Sequence, residues 1–217
     1  NALSANQVSK FTTAQVAVVT AANVTALSAD QVVALTTTQV GAMDTTQVKA
    51  LTTTAVAAMT TVQVASLNTS QVAALTTGQV SVLTANEVKS LTTTQVQALG
   101  TTQVNALTNA NVAAMTTTQV SALTTSQVNA MTTSAVTALG TSQVKALSTT
   151  QVQAITTTNV AVLSADQVSS LTTGQVSALN TAQVTALNTA NISALSTGQV
   201  QALTTAQVNV LSTTSVA

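Results

Sequence analysis

The sequence predicts an all-α fold: a solenoid of about 27 octapeptide units, each a short capped helix, running as a single continuous array over 1-217. Three observations predict it. Val stands at every eighth position from Val8 to Val216, replaced once by Ile192, with no insertion or deletion across 27 units. Octad position 4, counted from residue 1, draws only on Thr, Ser, Asn, Asp and Gly, the preferred N-cap residues. Position 7, three residues on, is Gln in 19 units and Glu87 in one, which is the spacing of a capping box.

Each part of the unit follows in order. In Thr36-Thr37-Thr38-Gln39-Val40 the cap is Thr36, and Gln39 is placed to return a hydrogen bond to the cap backbone. Leu35, before the cap, and Val40, in the first full turn, have the spacing of a hydrophobic staple that fixes how the chain enters the helix. Position 3 is Leu in 20 units, otherwise Met43, Met59, Met115, Met131, Phe11, Val19 or Ile155, so it reads with the Val row as core. Position 2 is Ala in 19 units, as close packing requires, and positions 1 and 6 take almost any small or polar residue and read as solvent-facing. The helix is expected over positions 5 to 3 of the next unit, about two turns, broken and restarted at every position 4.

Two other architectures compete. In one uninterrupted helix, eight residues at about 100° each would advance the face by about 80° per unit, so the Val and Leu rows would spiral and form no stripe. The 48 Thr and 33 Val also disfavour a long isolated helix. The alternative is a β-solenoid with 16-residue coils, which the β-branched content favours. Against it stand the scarcity of turn residues, with six Gly and no Pro, and runs such as Val32-Val33-Ala34-Leu35 that do not alternate. Burying one Val and one Leu does not offset the entropy of ordering eight residues, so a unit must be stabilised by its neighbours. The first unit and the last, ending Ser215-Val216-Ala217, look like interior units. The array is therefore expected to be a segment of a longer repeat protein or an assembled subunit.

Composition restricts the chemistry. There is no His, Cys, Trp, Tyr or Arg, and the charged residues are four acids (Asp30, Asp44, Glu87, Asp166) and four lysines (Lys10, Lys49, Lys89, Lys145), scattered along the chain. No imidazole base or ligand and no thiol nucleophile or thiolate ligand exists, so the chain is not expected to be an enzyme, and no catalytic, cofactor-binding or metal site is assigned. A net charge of zero gives no footprint for nucleic acid, and apolar runs such as Val16 to Val19 are too short to span a membrane. No signal peptide is visible.

Several residues invite a functional reading and have a simpler one. Thr pairs such as Thr52-Thr53 and Thr204-Thr205 resemble an ice-binding hydroxyl array, but position 4 accepts Ser, Asn, Asp and Gly as a cap would. Asp30, Asp44 and Asp166 read as cap or first-turn acids, and the Met residues as core filler. The sequons Asn23-Val24-Thr25, Asn68-Thr69-Ser70 and Asn191-Ile192-Ser193 are expected by chance in a chain of this composition.

Leu35 to Val40 locally resembles the start of the first helix in transcription activator-like effector repeats. Those repeats are far longer and carry a base-reading loop that this chain lacks, so DNA reading is not implied. Over its whole length the chain resembles the Thr/Ala/Val/Gln-rich octapeptide arrays of giant secreted or surface, adhesin-like proteins of Gram-negative bacteria. The shared unit is x-A-L-T-T-x-Q-V, as in Gln97-Ala98-Leu99 through Val104, with Gly100 departing at the cap. The resemblance implies an extracellular, structural role.

The expected function is thus that of a structural protein, building an extracellular filament, tube, sheath or adhesin stalk through repeat stacking and self-association. The expected partner is another copy of the chain, with no nucleic acid, no membrane insertion and no cofactor. The alternative is a repeat-array binding module, taking ice or a surface glycan along its Thr rows.

Overall fold

The computed structural model describes residues 2–211. Among them the regular elements are 26 short α-helices, with no strand. Each starts at octad position 5: α1 is Ala5–Val8, α2 Thr13–Ala17, α3 Ala21–Thr25, α4 Ala29–Val33, α5 Thr37–Ala42 and α6 Thr45–Ala50, and the series continues to α26, Thr205–Asn209. The fold is the all-α solenoid and not the β-solenoid. A helix in the 27th unit would start at Thr213, outside the described residues.

Cap, box and staple coincide as the octad requires. At α5, Thr36 is extended (φ −72°, ψ 160°), its hydroxyl accepts from the Gln39 N–H at 3.2 Å, and Gln39 Oε1 accepts from the Thr36 N–H at 2.7 Å. Leu35 and Val40 are both buried. The helices are nevertheless shorter than expected. Most end at position 1 or 2, and position 3 leaves the helix, because it must also lead into the next cap. After α6, Leu51 (φ −59°, ψ 133°) donates to the Val48 carbonyl at 3.3 Å and is followed by the extended cap Thr52 (φ −68°, ψ 155°). Two extended residues in succession redirect the chain. No described residue has a positive φ, so these corners dispense with the left-handed glycine that ends many helices. A chain with six Gly and no Pro can therefore turn at every octad.

From the start of the first unit, helices pack on the third one after them: α1 on α4, α2 on α5, α3 on α6. One turn of the solenoid is three octads, or 24 residues. The chain forms two compact units, Asn1–Met115 and Thr116–Ala217, and the same rule holds inside each. In the first, α11 (Ala85–Ser90) packs on α14 (Asn109–Ala114); in the second, α15 (Thr117–Ala122) packs on α18 (Thr141–Ala146). The core of both is the position-8 Val row with the position-3 Leu, Met and Ile residues. The exposed positions are mainly 1, 4, 5 and 6, and none of the helices is long and apolar enough to cross a membrane.

Candidate functional site: an amide strap between turns

The sequence gives position 7 a single task, closing the capping box. The structure gives it a second. Gln47 accepts the Asp44 N–H on Oε1 at 2.8 Å, and its Nε2 donates to the carbonyls of Val16 at 2.8 Å and Val19 at 2.6 Å, 31 and 28 residues earlier. The same bonds recur at Gln71 to Val40 and Met43 (2.8 and 2.7 Å), and in the second unit at Gln183 to Val152 and Ile155 (2.9 and 2.6 Å). These Gln side chains are almost wholly buried.

The chemistry answers a problem that short helices make acute. Every helix leaves four N–H groups and four carbonyls without partners inside it, and a helix of five or six residues is nearly all ends. The amide oxygen satisfies a donor at the start of its own helix. The amide nitrogen satisfies acceptors at the end of a helix one turn back, and at the following corner. One neutral side chain thus fixes both the local cap and the stacking of turns, without burying a charge.

Departures at position 7 show what each atom contributes. Asn111, Asn159 and Asn191 are one methylene shorter and each donates to the position-3 carbonyl, at 2.9, 2.8 and 2.9 Å. Glu87 keeps the acceptor half, its Oε2 taking the Thr84 N–H at 2.6 Å, but a carboxylate has no N–H to offer. Ala55 retains only the backbone bond to the Thr52 hydroxyl. The strap was not foreseen from the sequence, although a signal for it existed. A capping box takes Glu as readily as Gln, so 19 Gln against one Glu marks a required donor.

Smaller links lie on the surface. The Thr25 hydroxyl donates to the Ala50 carbonyl at 3.0 Å, and Asn129 Nδ2 to the Ala154 carbonyl at 3.1 Å, so position 1 can also bridge adjacent turns.

The other sequence candidates are placed as follows. Asp44 is the cap of α6, its Oδ1 accepting from the Gln47 N–H at 2.7 Å, and Asp30 and Asp166 lie in first helical turns. Lys49, Lys89 and Lys145 lie in last turns, where a cation suits the helix dipole. The described residues contain no group of three His, Cys, Asp or Glu able to hold a metal. Position-4 Thr residues are caps, while position-5 residues such as Thr53, Thr77 and Thr101 are exposed on successive turns of the first unit. Of the sequons, Asn23 is exposed, Asn68 caps a helix, and Asn191 is buried with its amide bonded to Leu163, a poor acceptor for sugar in the folded array. A polar cleft of about 430 Å³ in the second unit is lined by Lys145, Ser169, Ser170, Thr172 and Ser196.

Compared with known families, the chain matches the ALTTAQ repeat over residues 24–53, 40–77, 54–85, 77–109, 105–133, 128–157, 136–173 and 176–213. No curated protein matches it.

Proposed function

Because the chain belongs to the ALTTAQ repeat family, we propose that it is a structural protein that builds a filament, tube, sheath or adhesin-like stalk outside the cell. Repeat stacking and self-association would do the building, with another copy as partner. The observation that carries this reading is the strap: the same bonds join consecutive turns at successive octads, so a stack of any length is built from one contact. The surface supports it, since the exposed rows are largely uncharged Thr, Ser, Asn, Gln and Ala, with little charge to keep molecules apart. The resemblance to octapeptide arrays of giant bacterial surface proteins supports an extracellular setting. Electron microscopy of the purified chain, taken to helical reconstruction, tests the proposal. Uniform filaments or tubes are expected, and chains that stay dispersed at high concentration would refute it.

The exposed row Thr53, Thr77 and Thr101 favours a second reading, a module that binds ice or a surface glycan. Replacing the three with Val separates the two. A scaffold keeps its assembly, whereas a binding face loses ice-growth inhibition or glycan retention.

A further inference from the structure

One strap inside the first unit, covered by neighbouring turns on both sides, is built from an acid. Glu87 stands at position 7 in α11, with α8 (Thr61–Ala65) packed before it and α14 after it. Its side chain is as buried as the amides of the row: 2% exposed, against 3% for Gln63 and 1% for Gln79. Oε2 accepts the Thr84 N–H at 2.6 Å, the cap bond that Gln47 and Gln71 also make. Oε1 has no hydrogen-bond partner among the described residues.

The matching gap lies on the preceding turn. The position-3 carbonyls of the octads before and after Met59, those of Leu51 and Leu67, receive Gln79 at 2.7 Å and Gln95 at 2.5 Å. The Met59 carbonyl receives no donor among the described residues. The Val56 carbonyl is served by the Met59 N–H at 3.0 Å. Glu and Gln have the same planar end and the same reach. With Oε2 on the cap N–H, Oε1 therefore takes the place from which a Gln Nε2 would meet the Met59 carbonyl. Two acceptors then share a place built for a donor. The elements packed against α11 bring no ionisable group: α8 and α14 carry none, nor does Thr53–Ala57, the helix leading to Met59. On α11 itself the further charge is Lys89, exposed at position 1.

We propose that Glu87 is a proton-operated strap. Protonated from solvent, the carboxyl keeps Oε2 on the Thr84 N–H and donates its O–H to the Met59 carbonyl, restoring the bond that Gln makes elsewhere. Ionised, it keeps the cap, loses the link between turns, and sets two oxygens against each other. The unfolded chain holds no such carbonyl in place, so the contribution of the bond is present in acid and lost as pH rises. The array is thus tightest at this seam in an acidic setting. The three Asp residues have no such part, since Asp44 caps from position 4 and Asp30 and Asp166 are exposed at position 6.

Two variants bracket the parent: Glu87→Gln, which donates at any pH, and Glu87→Met, which donates at none. Urea unfolding is read near neutral pH and at about pH 3, below the ordinary carboxylate range. Near neutral pH the folding constant of Glu87→Gln is expected to exceed the parent's by about tenfold, and at about pH 3 the two are expected to agree within about twofold. The ratio between Glu87→Gln and Glu87→Met is expected to hold at both, because the remaining acids are common to them. A ratio between Glu87→Gln and the parent that holds as well would overturn the proposal. A second measurement needs no variant. Glu87 is the only Glu in the chain, so isotope labelling of Glu gives a single carboxyl NMR signal, read beside labelled Met carbonyls in the folded parent. The Met59 carbonyl signal is expected to shift together with the Glu87 carboxyl as acid is added. A Met59 carbonyl that stays unmoved while Glu87 titrates would overturn the strap.

Discussion

Gln is the residue this array needs at position 7 because a side-chain amide carries an acceptor and a donor on one planar group and no charge. Gln71 illustrates the stakes: it bonds the Asn68 N–H and the Met43 carbonyl, and it is a second donor to the Val40 carbonyl, which also accepts from the Met43 N–H at 3.2 Å. Gln71→Asn, which keeps the shorter reach seen at Asn111, is expected to cost about 1 kcal/mol, and Gln71→Ala roughly 2–4 kcal/mol, as buried groups lose their partners. Urea unfolding of the two variants checks the order. The reverse change is expected at Glu87, where Glu87→Gln supplies donors for the carbonyls of Val56 and Met59, 31 and 28 residues earlier. It should stabilise by about 1–3 kcal/mol, and a midpoint equal to or below that of the parent would contradict the strap.

The element is a helix of four to six residues, too short to be stable by itself. Its survival depends on its ends. Gly100 and Gly140 show which half of the capping box matters more: neither has a cap side chain, yet each N–H still donates to its Gln at 2.6 Å. The Gly100 backbone (φ −69°, ψ 161°) suits any cap residue, and an added Cβ would come within 3.4 Å of Gln103 Oε1 alone. Gly100→Thr is therefore expected to stabilise by a few tenths of a kcal/mol, and Thr36→Ala, which removes a working cap, to destabilise by about 1 kcal/mol. Thermal unfolding of both variants measures the asymmetry. The cap, box and staple were legible in the sequence because they are local, written within six consecutive residues. The length of the helix was not, because the same Leu both ends one helix and introduces the next.

For the molecule, the unit of exchange is the octad. Since three octads close a turn and all carry the same signals, deleting residues 61–68 moves later octads by one place around the solenoid and still presents Gln and Val where the straps and core need them. Helical signal per residue and cooperative unfolding are expected to persist. Deleting residues 61–64 instead breaks the repeat phase, so the deletion site should lose both a cap and a strap and the unfolding midpoint should fall. Circular dichroism of the two deletions tells these outcomes apart. The chain also lacks the charges that would make its stability depend on salt, so its unfolding midpoint is expected to shift little between low and high ionic strength.

By itself the sequence determined that the chain is a repeat, that the unit is eight residues, that each unit is a capped helix, and that Val and Leu form its core. All of these depend on contacts within one unit or on hydrophobic periodicity. Only the tertiary structure decided that three units make a turn, that corners form from two extended residues, and that the box Gln has a second role. Those features join residues 28 and 31 apart, and in a perfect repeat every multiple of eight looks alike, so no pattern along the chain marks which neighbour a unit will meet.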